Sequence, residues 1–222
     1  MVRRTPELVP RPARVMAVPW WGIVSSALAP VVLIGGWTVA ADLQPHPFNA
    51  VQRSISALGA VGMPYRWVIM LTLLGVGVCH AATGLALRPA AEPGRILLVI
   101  GGISSMLIGL NPQGAHHGSL THEAFSLIAV VVMTIWPLAA IRRDPSAPFG
   151  LRPAAAYAIS GVTLVVLLWF TIELFNGQQL GLAERTVTAD QSIWPLLVVL
   201  SVLVANQRSA LPTKQEAAVR SG

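Results

Sequence analysis

The chain has 222 residues, of which 54% are hydrophobic and only 11% are charged, and its mean hydropathy is +0.65. These values lie outside the range of soluble domains and place the chain among membrane proteins. The net charge is +6, but the Arg residues stand between apolar segments and do not form a basic patch interleaved with aromatic residues. Nucleic-acid binding needs such a patch. We therefore expect membrane lipids, and no nucleic acid, as partners.

Six apolar segments are candidates for crossing a bilayer, whose hydrocarbon core is about 30 Å thick. They cover residues 20–41, 67–87, 96–110, 124–141, 154–175 and 193–205. The third and sixth are short, so we expect their helices to extend into the flanking residues. The sequence predicts an all-α integral membrane protein, a six-transmembrane-helix bundle over residues 20–206, with a basic tail over 1–19 and a second tail over 207–222.

The basic residues are distributed unevenly between the two ends of these segments. Of the 15 Lys and Arg residues, twelve lie on the side that holds both termini, whereas Arg53, Arg66 and Arg185 lie on the other side. Positive residues concentrate in the cytoplasmic loops of multi-pass proteins. We expect a multi-pass protein of the cell membrane with both termini in the cytoplasm, and we call the opposite side the outer side.

The first predicted outer loop, residues 44–65, contains a short amphipathic pattern. Its apolar residues recur at helical spacing, namely Phe48, Val51, Ile55 and Leu58. Asn49 is suited to cap the start of such a helix, and Gly59 is suited to end it. The pattern predicts a short interfacial helix that either roofs the bundle or forms a lid over an outward pocket.

Most titratable residues fall on the outer side. The proposed metal ligands are His116, His117 and His122, which surround the start of the fourth segment. Imidazole and carboxylate ligands suit zinc or another transition metal, so one interpretation is a metal site that Asp42, Glu173 or another acid completes. Because His117 and His122 are five residues apart, they do not share a helical face. Polar contacts to lipid headgroups and within the loop are the alternative.

Four residues are candidates for catalysis, namely Asp42, Ser54, Ser56 and Glu173. Glu173 stands in an otherwise apolar segment, where a carboxyl group is costly unless it is paired or faces a cavity. The last predicted outer loop adds Glu184, Arg185 and Asp190. We expect Arg53, Glu184 and Arg185 to form a structural ion-pair group that holds the outer loops together.

His80 lies inside the second apolar segment, about two-thirds of the way toward the cytoplasm. At about 1.5 Å per residue, His80 and His122 should lie at different depths and cannot share one haem iron. We therefore expect no haem, and we expect His80 to be a hydrogen-bonded packing residue.

Several of these features recur together in one family. They are the layout of six segments, the VQRSISALGA stretch after the first segment, the NPQG turn followed by a His at the start of the fourth, and Glu184-Arg185 before the last. In these respects the chain resembles the bacterial membrane-protein family catalogued as domain of unknown function 998, over residues 20–205. The resemblance implies a bacterial membrane location and no established activity.

The residue inventory is also similar to that of the seven-helix membrane hydrolases related to alkaline ceramidase. Those enzymes use a Ser, an Asp and three His around zinc, and residue types of this kind are supplied here by Ser54 or Ser56, Asp42, His117 and His122. Three functions therefore stay open. They are an accessory, structural or lipid-contacting protein that binds lipid or a membrane-protein partner, a metal-dependent hydrolase of a lipid or envelope substrate, and a small proton-coupled transporter that uses Glu173 and the histidines.

Overall fold

The computed structural model describes residues 17–114 and 118–210, which form seven α-helices and one short 3-10 helix. In chain order these are α1 (Trp20–Asp42), α2 (Ile55–Leu58), α3 (Trp67–Ala86), α4 (Glu92–Leu110), α5 (Leu120–Ala139), η1 (Phe149–Leu151), α6 (Pro153–Asn176) and α7 (Leu180–Ala210). All the α-helices except α2 are long and apolar enough to cross a membrane. The predicted all-α architecture with six spanning segments is confirmed. Most of both predicted tails lies outside the described residues.

Helices α4 and α7 are longer by at least one turn than the apolar runs from which they were predicted. Helix α4 begins at Glu92, and α7 begins at Leu180, three turns before the apolar run that starts at residue 193. The prediction that the preceding residues form a loop was wrong for Glu184, Arg185 and Asp190, which lie on α7. Polar residues lower the average hydropathy of these turns, but Ala183 and Val187 recur at helical spacing and are buried.

The short helix α2 is present in the predicted outer loop but has only four residues. The Oδ1 atom of Asn49 accepts hydrogen bonds from the N–H groups of Val51 and Gln52, so it stabilises a separate turn. Ser54 caps α2 by accepting a hydrogen bond from the N–H of Ala57 at 3.0 Å. The helix therefore begins later than predicted, and it ends before Gly59 as predicted.

The long helices pack into a closed ring. Helix α1 packs against α3, α3 against α4, α4 against α5, α5 against α6, α6 against α7, and α7 against α1. Helix α2 contacts α1, α3 and α7 at one end of the ring, which we call the α2 end. The opposite end is filled by a buried apolar cluster that includes Leu98, Trp136 and Val198. The ring therefore has one closely packed end and one end covered by the α1–α3 connection.

Candidate functional site

A cavity of about 560 Å³ lies inside the ring, next to α2. This volume falls within the range of about 300–1,000 Å³ that is typical of pockets for small molecules. Most of the wall is apolar and includes Leu33, Ile69, Leu73, Val76, Met133 and Phe170. Polar side chains from α2, α5 and α7 line the α2 end of the cavity. The cavity is thus a partly open apolar space with a polar end.

Ser56 is hydrogen bonded to both His122 and Glu184 at this polar end. Ser56 Oγ lies 3.2 Å from Glu184 Oε1 and 3.2 Å from His122 Nε2. His122 Nδ1 lies 2.9 Å from the backbone carbonyl oxygen of Asn111, at the end of α4. Glu184 Oε2 accepts a hydrogen bond from the backbone N–H of Ile55. We call Ser56, His122 and Glu184 the polar cluster.

Each member of the polar cluster lies near the start of a helix. The cap at Ser54 places Ser56 in the first turn of α2. Ser119 caps α5 by accepting a hydrogen bond from the N–H of His122, and so places the imidazole in the first turn of that helix. Because the chain enters all three helices at the same end of the ring, these early residues meet at the α2 end.

Hydrogen-bond geometry restricts the protons of the polar cluster. The carbonyl oxygen of Asn111 can only accept, so His122 Nδ1 must carry a proton. Ser56 has one hydroxyl hydrogen, which it donates either to Glu184 or to His122 Nε2. If Ser56 donates to Glu184, then His122 is protonated at Nε2 and donates to Ser56. If Ser56 donates to His122, then a protonated Glu184 donates to Ser56. Both arrangements contain one proton that Glu184 and His122 share through the Ser56 hydroxyl.

Arg185 holds the α1–α3 connection, which contains Ser56, against α7. Its Nη1 atom donates to the carbonyl oxygens of Ala50, Arg53 and Gly181 at 2.8, 3.0 and 2.9 Å. The N–H of Leu182 also donates to the carbonyl oxygen of Val51, at 3.0 Å. These bonds hold the start of the connection against the first turns of α7. We call this contact the junction.

The predicted ion-pair group of Arg53, Glu184 and Arg185 meets at this junction. Glu184 and Arg185 attract each other electrostatically, and each of the three residues also has other contacts. Arg53 lies over the ring of Phe48 at 4.7 Å, Arg185 binds backbone carbonyls, and Glu184 accepts from Ser56 and Ile55. The junction therefore rests on hydrogen bonds to the backbone and on a cation–π contact.

The other predicted catalytic residues lie apart from the polar cluster. Asp42 lines a second cavity of about 650 Å³ together with His46 and Arg185. Glu173 is buried and accepts a hydrogen bond from the N–H of Gln179 at 2.7 Å, so it caps the start of α7. Ser54 lines the first cavity, but its Oγ atom caps α2. Of the four candidates, the structure brings only Ser56 into the polar cluster.

The predicted zinc ligands are only partly within the described chain, because His116 and His117 lie outside it. Within residues 17–114 and 118–210, no group of three or more His, Cys, Asp and Glu residues is placed to hold a metal ion. His122 is bonded to Ser56 and to the carbonyl of Asn111. A zinc site formed by His122 with His116 and His117 therefore stays a prediction.

His80 lies in the wall of the first cavity, farther along α3 from the α2 end. It is only 5% exposed, and its Nε2 atom has no hydrogen-bond partner among the described residues. This corrects the prediction of a hydrogen-bonded packing residue. Sequence reasoning also missed the part that Glu184 takes in the cavity. The signal for it is a helical repeat of cavity-lining residues, namely Leu180, Glu184, Val187 and Gln191.

Comparison with known proteins agrees with this architecture. The model of the family described as "Protein of unknown function (DUF998)" matches residues 26–201, which include most of the helix ring. Searches of curated proteins and of solved structures gave no match. The match covers most of the chain, and the described residues contain six helices long and apolar enough to span a membrane. The chain is a multi-pass integral membrane protein and belongs to the DUF998 family of proteins of unknown function.

Proposed function

We propose that this protein binds a small amphiphile inside the helix ring, with the apolar part between the helices and the polar group at the polar cluster. The observation that carries the proposal is the cavity of about 560 Å³ whose apolar wall ends at Ser56, His122 and Glu184. Burial of apolar surface supplies binding energy at roughly 25 cal/mol per Å². A few polar groups at one end then orient the molecule.

The wall of the cavity also favours a ligand that arrives from the lipid phase. Four apolar residues that line the cavity are exposed on the bundle as well, namely Trp67, Met70, Leu110 and Leu174. They lie on helices that are long and apolar enough to span the membrane, where such exposed side chains contact acyl chains. A molecule dissolved in the bilayer could therefore reach the cavity between helices.

We further propose that the α2 end faces away from the cytoplasm, in a cell membrane. The basic residues support this orientation, because most of them lie on the side of the chain termini. The polar cluster would then receive the polar group of a lipid-like molecule from the outer leaflet.

A tryptophan at Ala129 tests the binding function. Ala129 lies on α5, is half-buried and lines the cavity, so an indole there would occupy the apolar space. We expect photolabelling of the protein in lipid nanodiscs by a long-chain alcohol with a diazirine in its chain to fall by about tenfold or more, a loss of about 1.4 kcal/mol in binding. Mass spectrometry of the labelled peptides measures the change.

The matched control is Ala124→Trp, because Ala124 lies on the same helix but is exposed. This variant should keep wild-type labelling of the residues that line the cavity. Thermal unfolding of both variants establishes that each is folded. If Ala129→Trp is folded and is labelled as strongly as the wild type, the cavity is not the binding site.

Proton-coupled transport is a second candidate, and the shared proton of the polar cluster favours it. Intramembrane carboxyl and imidazole groups in a hydrogen-bonded chain are typical of proton relays. Glu184 occupies this position, whereas Glu173 caps a helix. We therefore propose Glu184, in place of Glu173, as the acid for this second function.

Glu184→Gln should abolish proton movement if this second function operates. We expect wild-type proteoliposomes with a trapped pH-sensitive dye, supplied with the long-chain alcohol, to lose an imposed pH gradient faster than protein-free vesicles. The Glu184→Gln variant should match protein-free vesicles, because an amide has no carboxyl proton to exchange. Glu173→Gln is the control, since its amide oxygen can still cap α7. Equal proton flux in wild type and Glu184→Gln would remove the role of Glu184.

A further inference from the structure

We propose that the polar cluster selects amphiphiles whose polar group donates a hydrogen bond, such as an alcohol, over matched molecules whose polar group only accepts one. The inference rests on the proposed binding function and adds the chemical class of the ligand's polar group. It follows from a count of the hydrogen-bond donors and acceptors that the cluster has left over.

Every polar hydrogen of the cluster side chains has an acceptor when Glu184 and His122 share one proton. The proton on His122 Nδ1 is used on the carbonyl of Asn111, and the Ser56 hydroxyl hydrogen is used within the cluster. The shared proton is also used, on Ser56. If the shared proton is absent, either Glu184 or His122 Nε2 lacks a donor. In both states the cluster has no side-chain hydrogen left for a ligand.

Acceptor capacity, by contrast, is left over. A carboxyl group has two oxygens with about four lone-pair positions, and a hydroxyl oxygen has two. Glu184 uses some of these positions with Ser56 and with the backbone of the connection. Ser56 Oγ keeps one lone pair after the two side-chain bonds. A ligand hydroxyl can therefore be satisfied here, whereas an ether oxygen would face other acceptors.

Two neighbouring polar side chains on α7 have no donor left for a ligand either. The side-chain N–H₂ group of Gln191 donates to the carbonyl of Val130 and to Thr134, and the Thr188 hydroxyl donates to the carbonyl of Glu184. The hydroxyls of Ser54 and Ser126 also line the cavity, but a hydroxyl both donates and accepts and so does not discriminate. Arg66 and Gln113 also line the cavity and have N–H donors, but they are not members of the polar cluster, to which the inference assigns the selectivity.

Competition between matched molecules tests the inference on the full chain in lipid nanodiscs. The photoactivatable long-chain alcohol is displaced either by the unlabelled alcohol or by its methyl ether, which has the same chain and lacks only the donor. We expect the alcohol to displace the probe at a concentration about tenfold or more below that of the ether, because a buried group without a partner is disfavoured.

Glu184→Gln should reduce this difference to less than about threefold. The amide oxygen can accept from the N–H of Ile55, one amide hydrogen can bond to Ser56, and the second is free for an acceptor on the ligand. Glu173→Gln is the matched control, since it removes the carboxyl group of a buried acid that does not line the cavity and its amide oxygen can still accept from the N–H of Gln179, and it should keep the wild-type difference.

The outcomes separate this inference from the proposed function. Equal displacement of the probe by alcohol and ether in the wild type would overturn the selectivity for donors and leave the binding function in place. Photolabelling that neither molecule displaces and that Ala129→Trp does not reduce would overturn the binding function itself. A wild-type difference that persists in a folded Glu184→Gln variant would overturn the assignment of selectivity to Glu184.

Discussion

Gly181→Ala is expected to separate the α1–α3 connection from α7 and to destabilise the folded protein by about 1–3 kcal/mol, the usual cost of overpacking. A Cβ added at Gly181 would lie 2.5 Å from the carbonyl oxygen of Ala50 and would collide with that of Arg53. Because both atoms belong to the backbone, no side-chain rotation can relieve the collision. The thermal unfolding midpoint of the purified protein measures the loss.

The same substitution should weaken binding, because Ser56 lies shortly after Arg53 in the displaced connection. We expect photolabelling by the long-chain alcohol to fall along with the unfolding midpoint. The matched control is Gly161→Ala on α6, where an added Cβ meets nothing within 4 Å. Alanine is the better helix former, so this control should keep or slightly raise the midpoint. A Gly181→Ala protein with wild-type midpoint and labelling would contradict the close approach.

Arg185→Met is expected to release the same connection by removing its hydrogen-bond donors. The carbonyl oxygens of Ala50 and Arg53 would lose the guanidinium at the junction with α7. Hydrogen bonds to charged groups contribute about 1.5–3 kcal/mol, and we expect a loss of stability in that range. Chemical or thermal unfolding measures it, and limited proteolysis within residues 44–65 should become faster.

Arg53→Met is the matched control, because it removes another cation from the same junction. Arg53 is exposed and lies over the ring of Phe48, a contact that is worth about 0.5–1 kcal/mol at such a site. Arg185→Lys should resemble Arg185→Met more than the wild type, since an ammonium lacks the planar fork of the guanidinium. Equal losses in the two methionine variants would mean that Arg185 does not fasten the connection through its backbone contacts.

Together these two variants test how the site is held in place. Ser56 lies on a helix of only four residues, which is too short to be stable in isolation. Its position depends on the contacts of the connection with α7, to which Glu184 also belongs. Stability of the junction and occupancy of the cavity should therefore change together.

The amino-acid sequence by itself determined the number of spanning helices and the ends of several of them. The first segment was predicted over residues 20–41 and is helical over Trp20–Asp42, and the second was predicted over 67–87 and is helical over Trp67–Ala86. This succeeds because a spanning helix satisfies its own backbone hydrogen bonds, so local hydropathy is enough to identify it. The end of α2 at Gly59 was also readable, since capping depends on neighbouring residues.

Only the tertiary structure decided which polar residues meet. Ser56 is 66 positions from His122 and 128 from Glu184, so their contacts depend on how distant helices are rotated and packed in the ring. Hydropathy also placed Glu184 in a loop, because it averages over residues and hides the buried face of α7. Asp42 and Glu173 had suitable chemistry in the sequence, but the packing directs one to a second cavity and the other to a helix cap. Residue types are local properties, whereas a site is formed by the closure of the bundle.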